Sequence, residues 1–226
     1  MARSLEDSHF YAILDTGYVD RTEWITRYNQ LLAGGADIVQ LRAKDVSKPE
    51  RLVLLESILP DFVASGKPLI INDDLEIAAL YPGLGIGLHI GQEDADPALA
   101  RDTLGEHAII GLSTHSLPQA EAAVQLAREG IIDYFAVGPV FKTPTKPDRR
   151  AVSLQLALEV KELDPPCPFF VIGGITRETV GDVAAAGLKR IVVVSDVLKA
   201  EDPADAIREL RADRKSTRLN SSHYRN

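Results

Sequence analysis

The chain is predicted to fold as a (β/α)8 TIM barrel, and three observations carry that prediction. Short apolar segments rich in β-formers recur roughly every 20 to 30 residues, the spacing of a βαβ unit. Segments of helical periodicity separate them, which implies a parallel sheet covered by helices. Nearly every apolar segment then runs into polar residues suited to phosphate or metal, as expected where strand C-termini gather at one mouth.

The apolar segments lie at 11–14, 37–41, 68–71, 86–89, 108–112, 134–137, 169–172 and 191–194. Helical periodicity is clearest at 22–32, 49–63, 117–128 and 177–186. Start signals agree with these positions: Ser47 before Pro49, Ser116 before Pro118, and Thr176 with Thr179 around Arg177 and Glu178. Eight βα units in 226 residues fit a small closed barrel better than an open doubly wound sheet, whose edge strands would more often be short or polar. Residues 1–212 are expected to form one catalytic domain. Residues 213–226 lose apolar periodicity, turn basic and serine-rich, and resemble translated adaptor sequence, so they are expected to be a disordered, non-native tail.

Composition narrows the function classes. At 45% hydrophobic and 26% charged, the chain has apolar content for one sizeable core, with no run long enough to cross a bilayer. MARSLEDSHF lacks an apolar stretch, so no signal peptide is expected and the cytoplasm is the default location. The single Cys167 cannot form an internal disulfide, and no base-bearing motif surrounds it. A formal charge of −8 argues against nucleic acid as a partner, so basic residues at the mouth would be local exceptions that focus anionic ligands. A homo-oligomer is left open.

The second apolar segment ends in Gln40-Leu41-Arg42-Ala43-Lys44. On a strand, side chains two apart share a face, so Gln40, Arg42 and Lys44 point the same way and form an anion site. The third runs into Asn72-Asp73-Asp74 and the fourth into His89-Ile90-Gly91-Gln92-Glu93-Asp94. Two acidic clusters at neighbouring strand ends suit a hard divalent cation such as Mg2+, with Asp73 and Asp94 as ligands. Asp74 and Asp96 read better as helix N-caps, and His89 as a packed or hydrogen-bonded histidine.

The fifth segment ends at Gly111-Leu112-Ser113-Thr114-His115, where a serine without an identifiable base is no hydrolase nucleophile. After the sixth, Thr143, Thr145 and Lys146 lie on a long polar loop that could close over a phosphorylated substrate. Gly173-Gly174 after the seventh and Val194-Ser195 after the eighth occupy the places where many barrels bind phosphate through loop amides.

In this order and spacing, Gln40-x-Arg42-x-Lys44, Asn72-Asp73, Gly87-x-His89-x-Gly91-Gln92-Glu93-Asp94, Gly111-x-Ser113-x-His115, Gly138-Pro139 with Thr143-x-Thr145-Lys146, Gly173-Gly174-Ile175 and Val193-Val194-Ser195 resemble thiamine phosphate synthase. The resemblance covers roughly residues 10–210. It implies a transferase that condenses hydroxymethylpyrimidine pyrophosphate with hydroxyethylthiazole phosphate. Pyrophosphate leaves first, and the thiazole nitrogen captures a pyrimidinyl methylene cation. It also implies that Arg42, Lys44, Asn72 and Lys146 hold the pyrophosphate, and that Asp73 and Asp94 hold its Mg2+. Gln40 and Ser113 would flank the pyrimidine, with Ser113 nearest the reacting centre; Ser113, Lys146 and Arg42 are the expected catalytic residues. Thr143, Thr145, Gly174, Val194 and Ser195 would bind the thiazole phosphate.

Two departures stand out. Asp196 replaces a small apolar residue after the serine, and either caps the last helix facing away or weakens phosphate binding. Asp74 beside Asp73 leaves open which carboxylate faces the metal. The alternatives are a thiazole tautomerase-like enzyme on the same barrel, or a non-catalytic sensor of phosphorylated ligands.

Overall fold

The computed structural model describes residues 5–142 and 153–223, with side chains of the last helix described as far as Asp213. Eight parallel strands close into a barrel in chain order, with β8 pairing back onto β1. They are β1 (Phe10–Asp15), β2 (Ile38–Arg42), β3 (Leu69–Asn72), β4 (Gly87–Ile90), β5 (Ile110–Thr114), β6 (Tyr134–Val137), β7 (Phe169–Ile172) and β8 (Ile191–Val193). Closure excludes the open sheet. The helices between them are α1 (Trp24–Ala33), α2 (Lys48–Ser65), α3 (Leu75–Ala78), α4 (Pro97–Leu104), α5 (Leu117–Arg128), α6 (Ser153–Glu162), α7 (Val180–Ala185), α8 (Ser195–Leu198) and α9 (Pro203–His223).

Strand periodicity of two splits the apolar residues into two cores. Val39, Leu41, Leu69, Ile71, Leu88, Phe135, Val171 and Val193 belong to the larger one, packed against helix residues such as Leu54, Leu55, Ile58 and Phe62. Each such buried side chain stabilises the fold by about 1.5–3 kcal/mol. Their alternates, Tyr11, Ile38, Ile70, Tyr134, Phe170 and Val192, fill the barrel interior together with Leu5 and Ile109. Interior packing stops short of the strand C-termini, where polar residues continue the inward-facing rows of β2, β3, β4 and β5.

Helix starts follow local chemistry. Ser47 and Glu50 form a capping box at α2, and the Ser116 hydroxyl accepts from the Gln119 amide at α5. Asp74 accepts from the Ile77 amide and Asp96 from those of Ala98 and Leu99, so both are the N-caps expected of them. Thr179 stands at the N-cap of α7 without a capping bond; its hydroxyl accepts from the Thr176 amide instead. The last helix runs past the boundary drawn at 212 and reaches His223, where the sequence had suggested a disordered tail. No glycine or proline follows Pro203, so backbone chemistry gives the helix no reason to stop earlier.

Asp37 ties the barrel wall to this helix. Its carboxylate accepts from the amides of His9 and Phe10 at 2.9 Å each and pairs with Arg211 at 3.1 Å. Burial pushes its pKa up, but the two amides and the Arg211 charge outweigh burial and hold it below the ordinary value. A carboxyl depressed in the folded state stabilises above its unfolded pKa and loses that contribution as pH falls through the folded one. Asp37→Ala is expected to lower stability at neutral pH by about 2–3 kcal/mol, read as a lower urea midpoint at unchanged slope, with the deficit shrinking toward acid pH.

Candidate active site

The strand C-termini surround a cavity lined by Gln40, Arg42, Asn72, Ser113, Gly174, Val194 and Ser195 among others. These come from β2, β3, β5 and the segments after β7 and β8, so residues far apart in sequence meet at one mouth. Lys44, Asp73 and Asp94 sit at the rim rather than in the lining. Thr143, Thr145 and Lys146 lie outside the described residues.

Arg42 enters the cavity already paired. Its guanidinium meets the Asp15 carboxylate at 2.5 Å, and that carboxylate also accepts from the Gly17 amide at 3.0 Å. Asp15 is fully buried, so it holds Arg42 in one rotamer. The sequence reading passed over Asp15. An acid closing β1 opposite Arg42 in the register of β1 and β2 was the available signal.

At the acidic rim Asp73 and Asp74 take different partners. Asp74, besides capping α3, pairs with Arg51 at 2.7 Å. Asp73, at a φ of 62°, accepts from Asn72 Nδ2 at 2.6 Å and pairs with Lys44 at 2.7 Å. The Asp94 carboxyl lies within hydrogen-bonding reach of Asp73 and accepts from the Gly91 amide at 2.9 Å. Burial pulls the Asp73 pKa up, yet the Lys44 ammonium holds it below the ordinary value. Asp94 shifts the other way, raised by burial and by the Asp73 charge. Among the described residues no group of three or more His, Cys, Asp or Glu side chains could hold a metal ion. Two adjacent carboxylates do fit Mg2+, a hard cation that commonly takes one or two carboxylates and completes its shell with water and substrate phosphates.

Across the interior runs a hydrogen-bond chain of which the sequence reading saw only the ends and His89. Gln40 Nε2 donates to Tyr11 Oη at 2.7 Å, and Tyr11 Oη lies 2.9 Å from Tyr134 Oη. Tyr134 Oη is 3.0 Å from His89 Nδ1, and His89 Nε2 is 2.9 Å from Ser113 Oγ. Burial raises the pKa of both phenols, so both stay protonated. Tyrosines on the inward rows of otherwise aliphatic strands were the missed signal. Ser113 thus has a histidine neighbour, but the group orienting that histidine is a phenol, not the carboxylate of a hydrolytic triad.

The opposite wall is backbone. Gly173 and Gly174 have φ of 101° and 64°, and a Cβ on Gly174 would come within 2.4 Å of the Lys142 carbonyl oxygen. The chain there is glycine because no side chain fits. Val194 and Ser195 face it at the start of α8. The Asp196 carboxylate accepts from the backbone amide and Nε of Arg177 at 3.3 and 3.2 Å. At the far end of the barrel, Cys167 has its thiol pushed up to about 12 by burial and by the Asp133 charge, which leaves no thiolate for chemistry.

The residues gathered here can bind anions, orient a flat polar ring and exclude water. The family described as thiamine monophosphate synthase matches residues 10–197. A thiamine-phosphate synthase of Arthrobacter sp. (strain FB24) is 41% identical over 227 residues, covering 92% of this chain and 94% of that protein. One from Acidothermus cellulolyticus is 37% identical over 212 residues, covering 94% and 97%. Among solved structures, a thiamine phosphate pyrophosphorylase from Pyrococcus furiosus superposes with a TM-score of 0.77 at 26% identity, covering 93% of this chain and 96% of that one. A 3-hexulose-6-phosphate synthase from Salmonella typhimurium, at 18% identity and a TM-score of 0.62 with 94% and 99% covered, shares the fold alone.

Proposed function

From the premise that the chain belongs to the thiamine monophosphate synthase family and is an enzyme that makes thiamine phosphate, we propose how its own residues divide the work. The substrates are hydroxymethylpyrimidine pyrophosphate and hydroxyethylthiazole phosphate, and the products thiamine phosphate and pyrophosphate. Arg42, Lys44 and Asn72, with Lys146, hold the pyrophosphate. Gln40 and Ser113 flank the pyrimidine, and the wall of Gly174, Val194 and Ser195, with Thr143 and Thr145, takes the thiazole phosphate. A cytoplasmic location belongs to the same reading. Among the described residues no helix is long and apolar enough to cross a membrane.

One observation carries this assignment. The inward rows of β2, β3 and β5 bring a guanidinium, two amides and a hydroxyl to one cavity whose other wall is glycine backbone. A dissociative displacement needs little proton transfer. It needs charge stabilisation of the departing group and alignment of the attacking nitrogen. Arg42, locked by Asp15, supplies fixed positive charge without reorganisation. Ser113 and Gln40 orient the ring so that its methylene faces the thiazole nitrogen. The apolar rims of Ile172, Ile175 and Val194 keep water from capturing the cation.

Mg2+ would be held by Asp73 and Asp94, and when bound it supplies neutralisation of pyrophosphate charge. Lys44 is the counterion of Asp73 in this structure. The test is product formation from both substrates, with chromatography of thiamine phosphate and pyrophosphate, with and without EDTA. Asp94→Asn is expected to raise the Mg2+ concentration for half-maximal rate by about tenfold, as loss of one charged ligand implies. Turnover that survives EDTA unchanged would remove the metal from this assignment; absence of product from folded protein would remove the assignment of residues altogether.

A further inference from the structure

We propose that Tyr11, Tyr134 and His89 form a hydrogen-bond chain of one polarity that sets Gln40 as an acceptor and Ser113 as a donor toward the pyrimidine. The polarity follows from counting hydrogens. Gln40 Nε2 donates to Tyr11 Oη, so the Tyr11 hydrogen points onward, and Tyr134 Oη at 2.9 Å is its partner. Tyr134 must then direct its own hydrogen to His89 Nδ1 at 3.0 Å, which requires that nitrogen to be unprotonated. The imidazole is therefore neutral and protonated on Nε2, which donates to Ser113 Oγ at 2.9 Å. The reverse arrangement, with a proton on Nδ1 and the same Gln40 orientation, leaves one buried phenol hydrogen without an acceptor. Both tyrosines are fully buried, so that orphan carries a full desolvation penalty.

Two consequences reach the cavity. His89 Nε2–H takes one lone pair of Ser113 Oγ, which leaves the hydroxyl hydrogen free to turn to the cavity as a donor to a ring nitrogen. With one Nε2 hydrogen directed to Tyr11, the amide orientation of Gln40 is fixed and its carbonyl oxygen is an acceptor for an exocyclic amino group. The two ends lie on β2 and β5 and match an aminopyrimidine, which carries both kinds of group. Tyr11, Tyr134 and His89 act through Gln40 and Ser113, so they are positioning residues. Ring packing keeps them in place: Tyr134 stands edge-on to Tyr11 and Phe170 at centroid distances of 5.8 and 5.7 Å, and stacks on His89 at 5.6 Å.

This inference rests on the reading that the pyrimidine lies between Gln40 and Ser113, and its first test does not. Nitrogen NMR of the full-length chain labelled in histidine, with His89 assigned by His89→Gln, is expected to show an unprotonated Nδ1 and a protonated Nε2. A proton on Nδ1, or a cationic ring at neutral pH, overturns the polarity. The second test separates the links. Tyr11→Phe should raise KM for the pyrimidine pyrophosphate about three- to tenfold, the worth of one hydrogen bond, while the His89 tautomer stays as in the parent. Tyr134→Phe should raise the same KM and also shift His89 to a mixture of tautomers. KM for the thiazole phosphate should change by less than about twofold in both, within the spread of an unaffected contact. Equal changes in both KM values, or none, would mean that the tyrosines only pack. If Tyr134→Phe does not fold, the parent tautomer and Tyr11→Phe still decide. A parent protein with the expected tautomer but no turnover would refute the functional reading and leave the chain standing.

Discussion

Arg42→Ala is expected to lower kcat/KM for the pyrimidine pyrophosphate by about 10²–10³, the usual effect of removing one preorganised charge from a developing anion. It should also destabilise the fold, and the reason is Asp15. The pair lies at 2.5 Å with Asp15 1% exposed and Arg42 17%, so both charges are desolvated. Deleting one partner of a buried pair leaves the other uncompensated, at a cost of about 3–5 kcal/mol. A double variant separates the two effects. Arg42→Met with Asp15→Leu removes both charges at similar volume, and such replacements are often neutral for stability. Its urea midpoint should return toward that of the parent while activity stays lost. Recovery of activity in the double variant would show that Arg42 acts on the fold and not on the pyrophosphate.

Gly111→Ala is the second large effect, and it arises from one missing carbon. Gly111 pairs in register with Tyr134 on the neighbouring strand. A Cβ at 111 would lie 2.0 Å from Tyr134 Cζ and 2.5 Å from its hydroxyl oxygen. Tyr134 cannot swing away, because three rings surround it and its hydroxyl is bonded at both sides. Overpacking of this kind costs about 1–3 kcal/mol and more where nothing yields, and about 1–3 kcal/mol in a domain of this size lowers Tm by about 2–12 °C. Displacement of Tyr134 also cuts the chain that orients Ser113, so activity should fall with stability. Adding Tyr134→Leu restores space without restoring the hydroxyl. The clash is then gone, but the buried Tyr11 hydroxyl loses its acceptor, so that double variant should regain only part of the lost Tm and little of the lost activity. Wild-type stability in Gly111→Ala alone would contradict the packing described for the barrel interior.

Much of the site was legible because strand chemistry is local. Alternation placed Gln40 and Arg42 on one face, and the polar residues after each apolar segment marked the mouth. Capping rules separated Asp74 and Asp96 from the acids left at the rim. Lys44 differed in detail: it follows the end of β2 and bonds Asp73 at the rim instead of continuing the inward row. The tail also differed, since lost apolar periodicity signals the absence of a packed face but does not forbid helix.

The chain by itself determined the number and order of the βα units, the face each strand turns inward and the residue types at its end, since these depend on periods of two and 3.6 and on caps a few residues long. Tertiary structure alone decided which inward side chains meet. Asp15 finds Arg42 through the register of β1 and β2, and Asp196 finds Arg177 from the next βα loop. Tyr11, Tyr134, His89 and Ser113 join only because the sheet closes. Closure brings strands separated by more than a hundred residues to within one hydrogen bond, a relation between partners 123 apart that no local pattern encodes.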